Sequence, residues 1–192
     1  MEPTVDLFWI PLGAGGSGFV RFNGRVYERW AAVRQHRTPL HLFHTALRVT
    51  GPSGRFFIET MWPSPPGPPH TRGVVLQGPV WWRPLGRFRV FTYEVRCWRE
   101  GVLPDADEAV GGPQVVSSDP TVARLILDSV SRVPALTWGL DPGHVGDMWN
   151  SNSVVSWLLA EAGVTGVAAP IGGRAPGWET GLAVSRLGRA TQ

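Results

Sequence analysis

The sequence predicts a single α+β domain of 192 residues, built as an antiparallel, strongly bent sheet with helices packed against it. Three observations carry that expectation. In the first half, short runs of strand-forming residues are joined by tight turn signals. In the second half, stretches beginning near Pro120 and Asn150 repeat apolar residues with the period of a helix. Hydrophobic residues make up 43% of the chain and charged residues 17%, a balance that fills one core and is too apolar for disorder.

Taken in order, Thr4 to Ile10 reads as a strand that stops at Pro11. The following Gly13-Ala14-Gly15-Gly16-Ser17-Gly18 formally matches the dinucleotide fingerprint. Phe19 to Phe22 looks like another strand and Asn23-Gly24 like a turn, so no helix opens there to receive a pyrophosphate, and a flexible loop is expected. A short helix follows from Arg25 to Gln35. Leu40 to Thr50 and Arg55 to Trp62 form a hairpin about Gly51-Pro52-Ser53-Gly54. A loop symmetric about Pro52 and Ser53 sets Ala46 opposite Glu59. The proline-rich loop 63–71 is extended. Strands resume at Gly73 to Gln77, Val80 to Arg83 and Arg87 to Trp98. In the last of these, Glu94, Arg96 and Trp98 share one face while Tyr93, Val95 and Cys97 share the other.

Gly101 to Ser118 is turn-rich, and Ser118 or Asp119 caps a helix with Pro120 in its first turn. The stretch around Asp147 to Gly163 is the most informative. Val154, Val155, Leu158, Leu159 and Ala162 form the apolar stripe of a helix, Asn and Ser supply its N-cap, and Gly163 its stop. At ~100° per residue Ser151 projects into the stripe and Ser153 falls nearly opposite. In the Gly-rich C-terminal segment 163–192, the turn-rich stretch Ala169 to Trp178 is expected to be a loop that clips the tail to the core; Arg174 and Trp178 within it are candidates to line a pocket.

Composition also excludes functions. All 18 basic residues are Arg, which rules out a lysine nucleophile or P-loop lysine. The net charge is only +3, and the densest basic group, Arg83, Arg87 and Arg89, is interrupted by apolar residues, so no nucleic acid is expected as a partner. The single Cys97 cannot form an internal disulfide or a multi-cysteine metal site, and its place on an apolar strand face marks it as an inert thiol. His41 and His44 point to opposite strand faces, which argues against a metal pair. Neither a signal peptide nor a membrane span is expected, and the default location is cytoplasmic.

A hydroxyl at the positive end of a helix, turned toward the protein body, is where a nucleophile can sit, and Ser151 is that hydroxyl. On the hairpin, His44 and Ala46 share a face, and Glu59 lies diagonal to His44 at a Cβ separation of ~7–8 Å, where a carboxylate can orient an imidazole. His144, seven residues before Ser151, is a second-choice base.

Asn150-Ser151-Asn152-Ser153-Val154-Val155 resembles the Asn-Cys-Glu-His-Phe-Val segment of the lecithin:retinol acyltransferase-like branch of the circularly permuted papain-like (NlpC-type) enzymes, with Ser151 in place of the cysteine. It is more similar to an uncharacterised bacterial family with Trp-Pro-Gly-Pro-Asn-Ser-Asn-Thr/Ser-Phe, preceded far upstream by a His-Thr strand. Over nearly its whole length the chain also resembles hypothetical proteins of high-GC actinobacteria. The resemblance implies a permuted papain-like fold and the chain order His44, Glu59, Ser151 for base, orienting group and nucleophile. It implies a hydrolase or acyltransferase acting on an amide or ester bond of a small-molecule, peptide or lipid substrate, without a cofactor or metal. In that reading Asn150, Asn152 and Trp149 flank the oxyanion and substrate, together with Arg174 and Trp178. Serine ionises far less readily than cysteine, so the alternative is a scaffold that has lost catalysis and serves as a binding or interaction module.

Overall fold

The turn Pro52-Ser53 closes the hairpin from which the sheet grows. Strands β2 (His41–Gly51) and β3 (Gly54–Met61) pair antiparallel from Gly51 opposite Gly54 to Leu47 opposite Ile58, the register expected from the loop symmetry. These coordinates belong to a computed structural model that describes residues 2–13, 28–29, 32–34, 36–63, 73–103 and 105–190. The glycine run 14–18, the strand expected at 19–22, most of the helix expected at 25–35 and most of loop 63–71 lie outside the described residues. Residues 28–29 and 32–34 are helical, within the range expected for that helix.

Around the hairpin, β1 (Thr4–Pro11), β4 (Val74–Pro79), β5 (Thr92–Arg99) and β6 (Gln114–Ser117) complete the order β4-β5-β3-β2-β1-β6, with every ladder on this path antiparallel. A two-residue strand β7 (Gly173–Arg174) joins the start of β2 in parallel. Beyond the partly described helix at 28–34, three helices are described in full: α1 (Pro120–Ser129), α2 (Ser151–Glu161) and α3 (Trp178–Ala190). Mixed α+β architecture with an antiparallel sheet is therefore what the chain has.

Side-chain alternation divides the sheet into two faces. Val5, Leu7, Trp9, Phe43, Leu47, Val49, Ile58, Tyr93 and Val95 face the helices and pack with Ala123, Ile126, Val155, Leu158 and Leu159 in the main core. Burial of these side chains at about 1.5–3 kcal/mol each is what holds sheet and helices together. The opposite face carries Phe8, Ile10 and Ala46, covered by Leu103, Ala106 and Ala109 from the connection before β6. Both faces of β1 are thus buried, which is why its sequence is almost continuously apolar.

Several elements depart from the sequence expectation. Val80 forms only an isolated bridge with Trp138 where a strand was expected from Val80 to Arg83, and of the strand expected from Arg87 to Trp98 the part from Thr92 on is β5, while 3-10 turns occupy Arg83–Arg87 and Arg89–Phe91. Pro84 and Gly86 disfavour a continuous strand there. β6 arises inside the region expected to be turns, where Val115 and Val116 find the free edge of β1. The tail, to which the sequence reading gave no element, is helical from Trp178 to Ala190. Gly181 allows this: a Cβ there would collide with the Ser153 carbonyl of α2, so the two helices touch backbone to backbone.

Candidate functional site

The segment Asn150-Ser151-Asn152-Ser153 opens α2 as expected. Asn150 Oδ1 accepts from the amides of Asn152 at 2.9 Å and Ser153 at 3.4 Å, and Ser153 Oγ accepts from Asn150 N at 3.0 Å, a reciprocal capping box. The remaining polar atoms of the motif reach across to the chain after β7. Asn150 Nδ2 donates to the Pro176 carbonyl at 2.9 Å, and Ser153 Oγ donates to the Gly177 carbonyl at 2.7 Å. One turn on, Ser156 Oγ donates to the Trp178 carbonyl at 2.7 Å. Asp147 closes the clasp by accepting from Gly177 N at 2.6 Å, and Gly177 itself has a left-handed φ of 87° with Asn150 packed where a Cβ would stand. Ser153, opposite the apolar stripe as expected, faces α3 and is fully buried. Sequence periodicity fixed one buried side of α2, whereas residues 151–159 are all buried because α3 covers the other side.

Asn152 makes the link to the sheet. Its Nδ2 donates to the carbonyls of Phe43 at 2.9 Å and Pro176 at 2.8 Å, and its Oδ1 accepts from Thr45 Oγ1 at 3.0 Å. Thr45 and Phe43 thus point to the helix side of β2. His44, between them, points to the other side with Ala46. The sheet separates the His44 imidazole from the start of α2, so the proposed pairing of Ser151 with His44 is not assembled. The sequence signal was one residue off, since the side chain of the His-Thr strand that meets the helix start is Thr45.

His44 and Glu59 do lie on one face, as expected, but neither donates to nor accepts from the other. Beyond Leu47 and Ile58 the two strands part, and Glu59 sits opposite Arg96 of β5. Burial pushes the His44 pKa down to about 4, and burial likewise raises that of Glu59 against the opposing pull of Arg96, with Asp105 adding to the rise. On the same face Arg96 is gripped by Glu94 through Nη2 at 2.6 Å and Nε at 3.0 Å, with both side chains buried. Gln77 donates to the second Glu94 oxygen at 3.0 Å. Sequence reading placed Glu94 and Arg96 on one face without identifying them as this ion pair, although a charged i, i+2 pair on a strand was the available signal.

The expected substrate-binding residues have structural roles. Trp149 is fully buried and donates its Nε1–H to the Tyr93 hydroxyl at 3.2 Å, so it is core rather than cleft wall. Asn152 has both Nδ2 hydrogens committed, to the Phe43 and Pro176 carbonyls, and Asn150 has its Oδ1 and one Nδ2 hydrogen committed to the helix cap and Pro176, so these amides serve the fold. Arg174 lies 3.8 Å from Glu28 and 3.7 Å from Asp147. Glu28, which also pairs with Arg37 and accepts from Leu40 N at 2.8 Å, has its pKa lowered: burial would raise it, but these hydrogen bonds and arginine charges outweigh that. Trp178 packs on Trp9 with ring centroids 5.2 Å apart. His144 is exposed on a turn whose amides at Val145 and Gly146 donate to Asp141. Ser151 is the one motif member with no side-chain hydrogen bond among the described residues, and it is 7% exposed.

Clefts open at two places among the described residues. One of about 640 Å³ lies where β1, β2 and the 170–171 turn end, lined by Pro11, Leu12, Leu40, Leu42 and Ile171 with Glu28, Arg29 and His41 among them. The other, of about 690 Å³, lies between the β2–β3 turn and α1 and reaches Cys97. Burial pushes the Cys97 thiol up to about 11. Alkylation by iodoacetamide at pH 8 is therefore expected to be roughly a hundredfold slower than for free cysteine and to recover in urea, as thiol titration over time will measure.

Among the described residues no three His, Cys, Asp or Glu side chains cluster as metal ligands, and no helix is long and apolar enough to cross a membrane. Comparison of the chain with protein-family models, curated proteins and solved structures finds no match, so its assignment rests on the geometry above.

Proposed function

We propose that this chain is a non-catalytic binding module. The observation that supports this reading is the division of labour at the start of α2: Asn150, Asn152 and Ser153 hold the fold together, while the sheet stands between Ser151 and His44. Without a base within reach a serine hydroxyl stays a poor nucleophile at neutral pH. The binding element in this reading is the 640 Å³ cleft, whose size suits a small organic ligand or a few residues of a peptide. Its leucine and proline walls take an apolar body, and Arg29 and His41 offer polar contacts at the rim.

The serine hydrolase or acyltransferase reading keeps one observation in its favour: Ser151, at the first turn of α2, has a side chain not engaged in holding the fold. It requires a base other than His44. Exposure to a fluorophosphonate probe separates the two readings. The module predicts no labelling of the folded protein. Labelling that is lost in Ser151→Ala and retained in Ser153→Ala overturns it.

A further inference from the structure

The connection between β4 and β5 is unlike the rest of the surface. Trp81 is 69% exposed, Trp82 63%, Phe88 48% and Val90 73%, and the turns that carry them bury none of their own residues. Single exposed apolar residues are ordinary, but four on one ten-residue segment, two of them adjacent tryptophans, are not. The patch extends beyond the segment. Trp81 N donates to the Trp138 carbonyl at 2.9 Å, Trp62, itself 53% exposed, packs on Trp138 at 5.9 Å, and Leu140 follows two residues later, also exposed. Trp81 adopts a left-handed φ of 62°, a conformation costly for a bulky residue, while its indole stays in water.

Charge on this segment has one sign. Arg83, Arg87 and Arg89 alternate with the apolar side chains and are exposed, and the Arg87 guanidinium lies over the Phe88 ring at 4.7 Å. From Thr60 to Tyr93 the sequence contains no Asp or Glu. The nearby Asp141 has both carboxylate oxygens occupied by the amides of Val145 and Gly146.

We propose that Trp81 to Val90 docks the protein onto the surface of an anionic lipid bilayer. Indoles settle at the headgroup level, where one edge of the ring is wet and the rest apolar. Phe88 and Val90 enter the acyl boundary, and the three arginines meet lipid phosphates, each strengthening binding several-fold at low salt. Single-stranded nucleic acid also stacks on exposed indoles, but Val90 and Leu140 offer no ring to a base, whereas both suit hydrocarbon. This surface is separate from the cleft of the proposed module and does not depend on that reading.

Co-flotation of the full chain with phosphatidylcholine vesicles, with and without phosphatidylglycerol, tests the proposal. Binding is expected to need phosphatidylglycerol and to fall with added salt. Replacing Arg83, Arg87 and Arg89 by Gln is expected to weaken it about a hundredfold. Trp81→Ala with Trp82→Ala is expected to abolish it; circular dichroism checks that the fold is kept, and Phe88→Ser serves as an independent apolar variant. Brominated acyl chains should quench the tryptophan emission of the bound protein. Absence of vesicle binding, binding unaffected by both sets of variants, or binding to a thymidine oligonucleotide in place of vesicles overturns it.

Discussion

Asn152→Ala is expected to destabilise the fold by about 4 kcal/mol, measured by urea unfolding. The side chain is 3% exposed and links three places distant in sequence: the β2 carbonyl at Phe43, the Thr45 hydroxyl, and the carbonyl at Pro176. Truncation leaves the buried Phe43 carbonyl without that donor and opens a cavity, at a cost of about 1–3 kcal/mol for each polar group left unmatched. Pro176 keeps the bond from Asn150, and the Thr45 hydroxyl is free to rotate, so the penalties do not simply add. Asn152→Asp has nearly the same shape but places a carboxylate against two carbonyl oxygens, and is expected to cost more than alanine. Ser151→Ala, removing a hydroxyl with no such partner, is expected to change stability by less than about 0.5 kcal/mol. Equal losses at positions 151 and 152 would contradict this view of the motif.

Acid is expected to weaken the protein through His44. Its folded pKa of about 4 lies below the ordinary value of 6.5, so between these limits the unfolded chain takes up a proton that the folded chain refuses. The stabilisation is fully present above pH 6.5 and is lost as pH falls toward 4, by about 3 kcal/mol in all. Glu59 works in the opposite sense. Its raised pKa favours the protonated folded form, so its contribution is present at low pH and declines as pH rises above the ordinary carboxylate range. Unfolding free energies between pH 7 and pH 4 for the native chain and His44→Gln will isolate the histidine: the variant's curve should lose most of its slope. An unchanged slope would place the acid sensitivity elsewhere.

Local signals account for most of what was legible in the sequence. The Pro52-Ser53 turn determined the β2–β3 register, Asp119 with Pro120 marked the start of α1, and the Asn and Ser residues marked the start of α2. Each of these features is decided within a few residues. The candidate site depended on a tertiary choice that alternation leaves open. Period two separates His44 from Thr45 but does not say which of them faces the helix when both sides of a strand are buried. Likewise, α3 was hidden because its glycines lower helix propensity, and its formation rests on close packing at Gly181 rather than on local preference. The resemblance to permuted papain-like enzymes indicated where to look, yet the same asparagines and serines answer to a structural demand.

The bonds from Asn152 to β2 join residues 107 and 109 positions apart, and those from Ser153 and Ser156 of α2 to Gly177 and Trp178 span 24 and 22. None of them can form until distant parts of the chain have met, and loop closure over such spans must be achieved before the contacts repay it. The locally decided cap can form early, but the enclosure of α2 is a late event in folding: the helix is fully covered only when hairpin and tail arrive together, and until then its apolar flank is open to unwanted association.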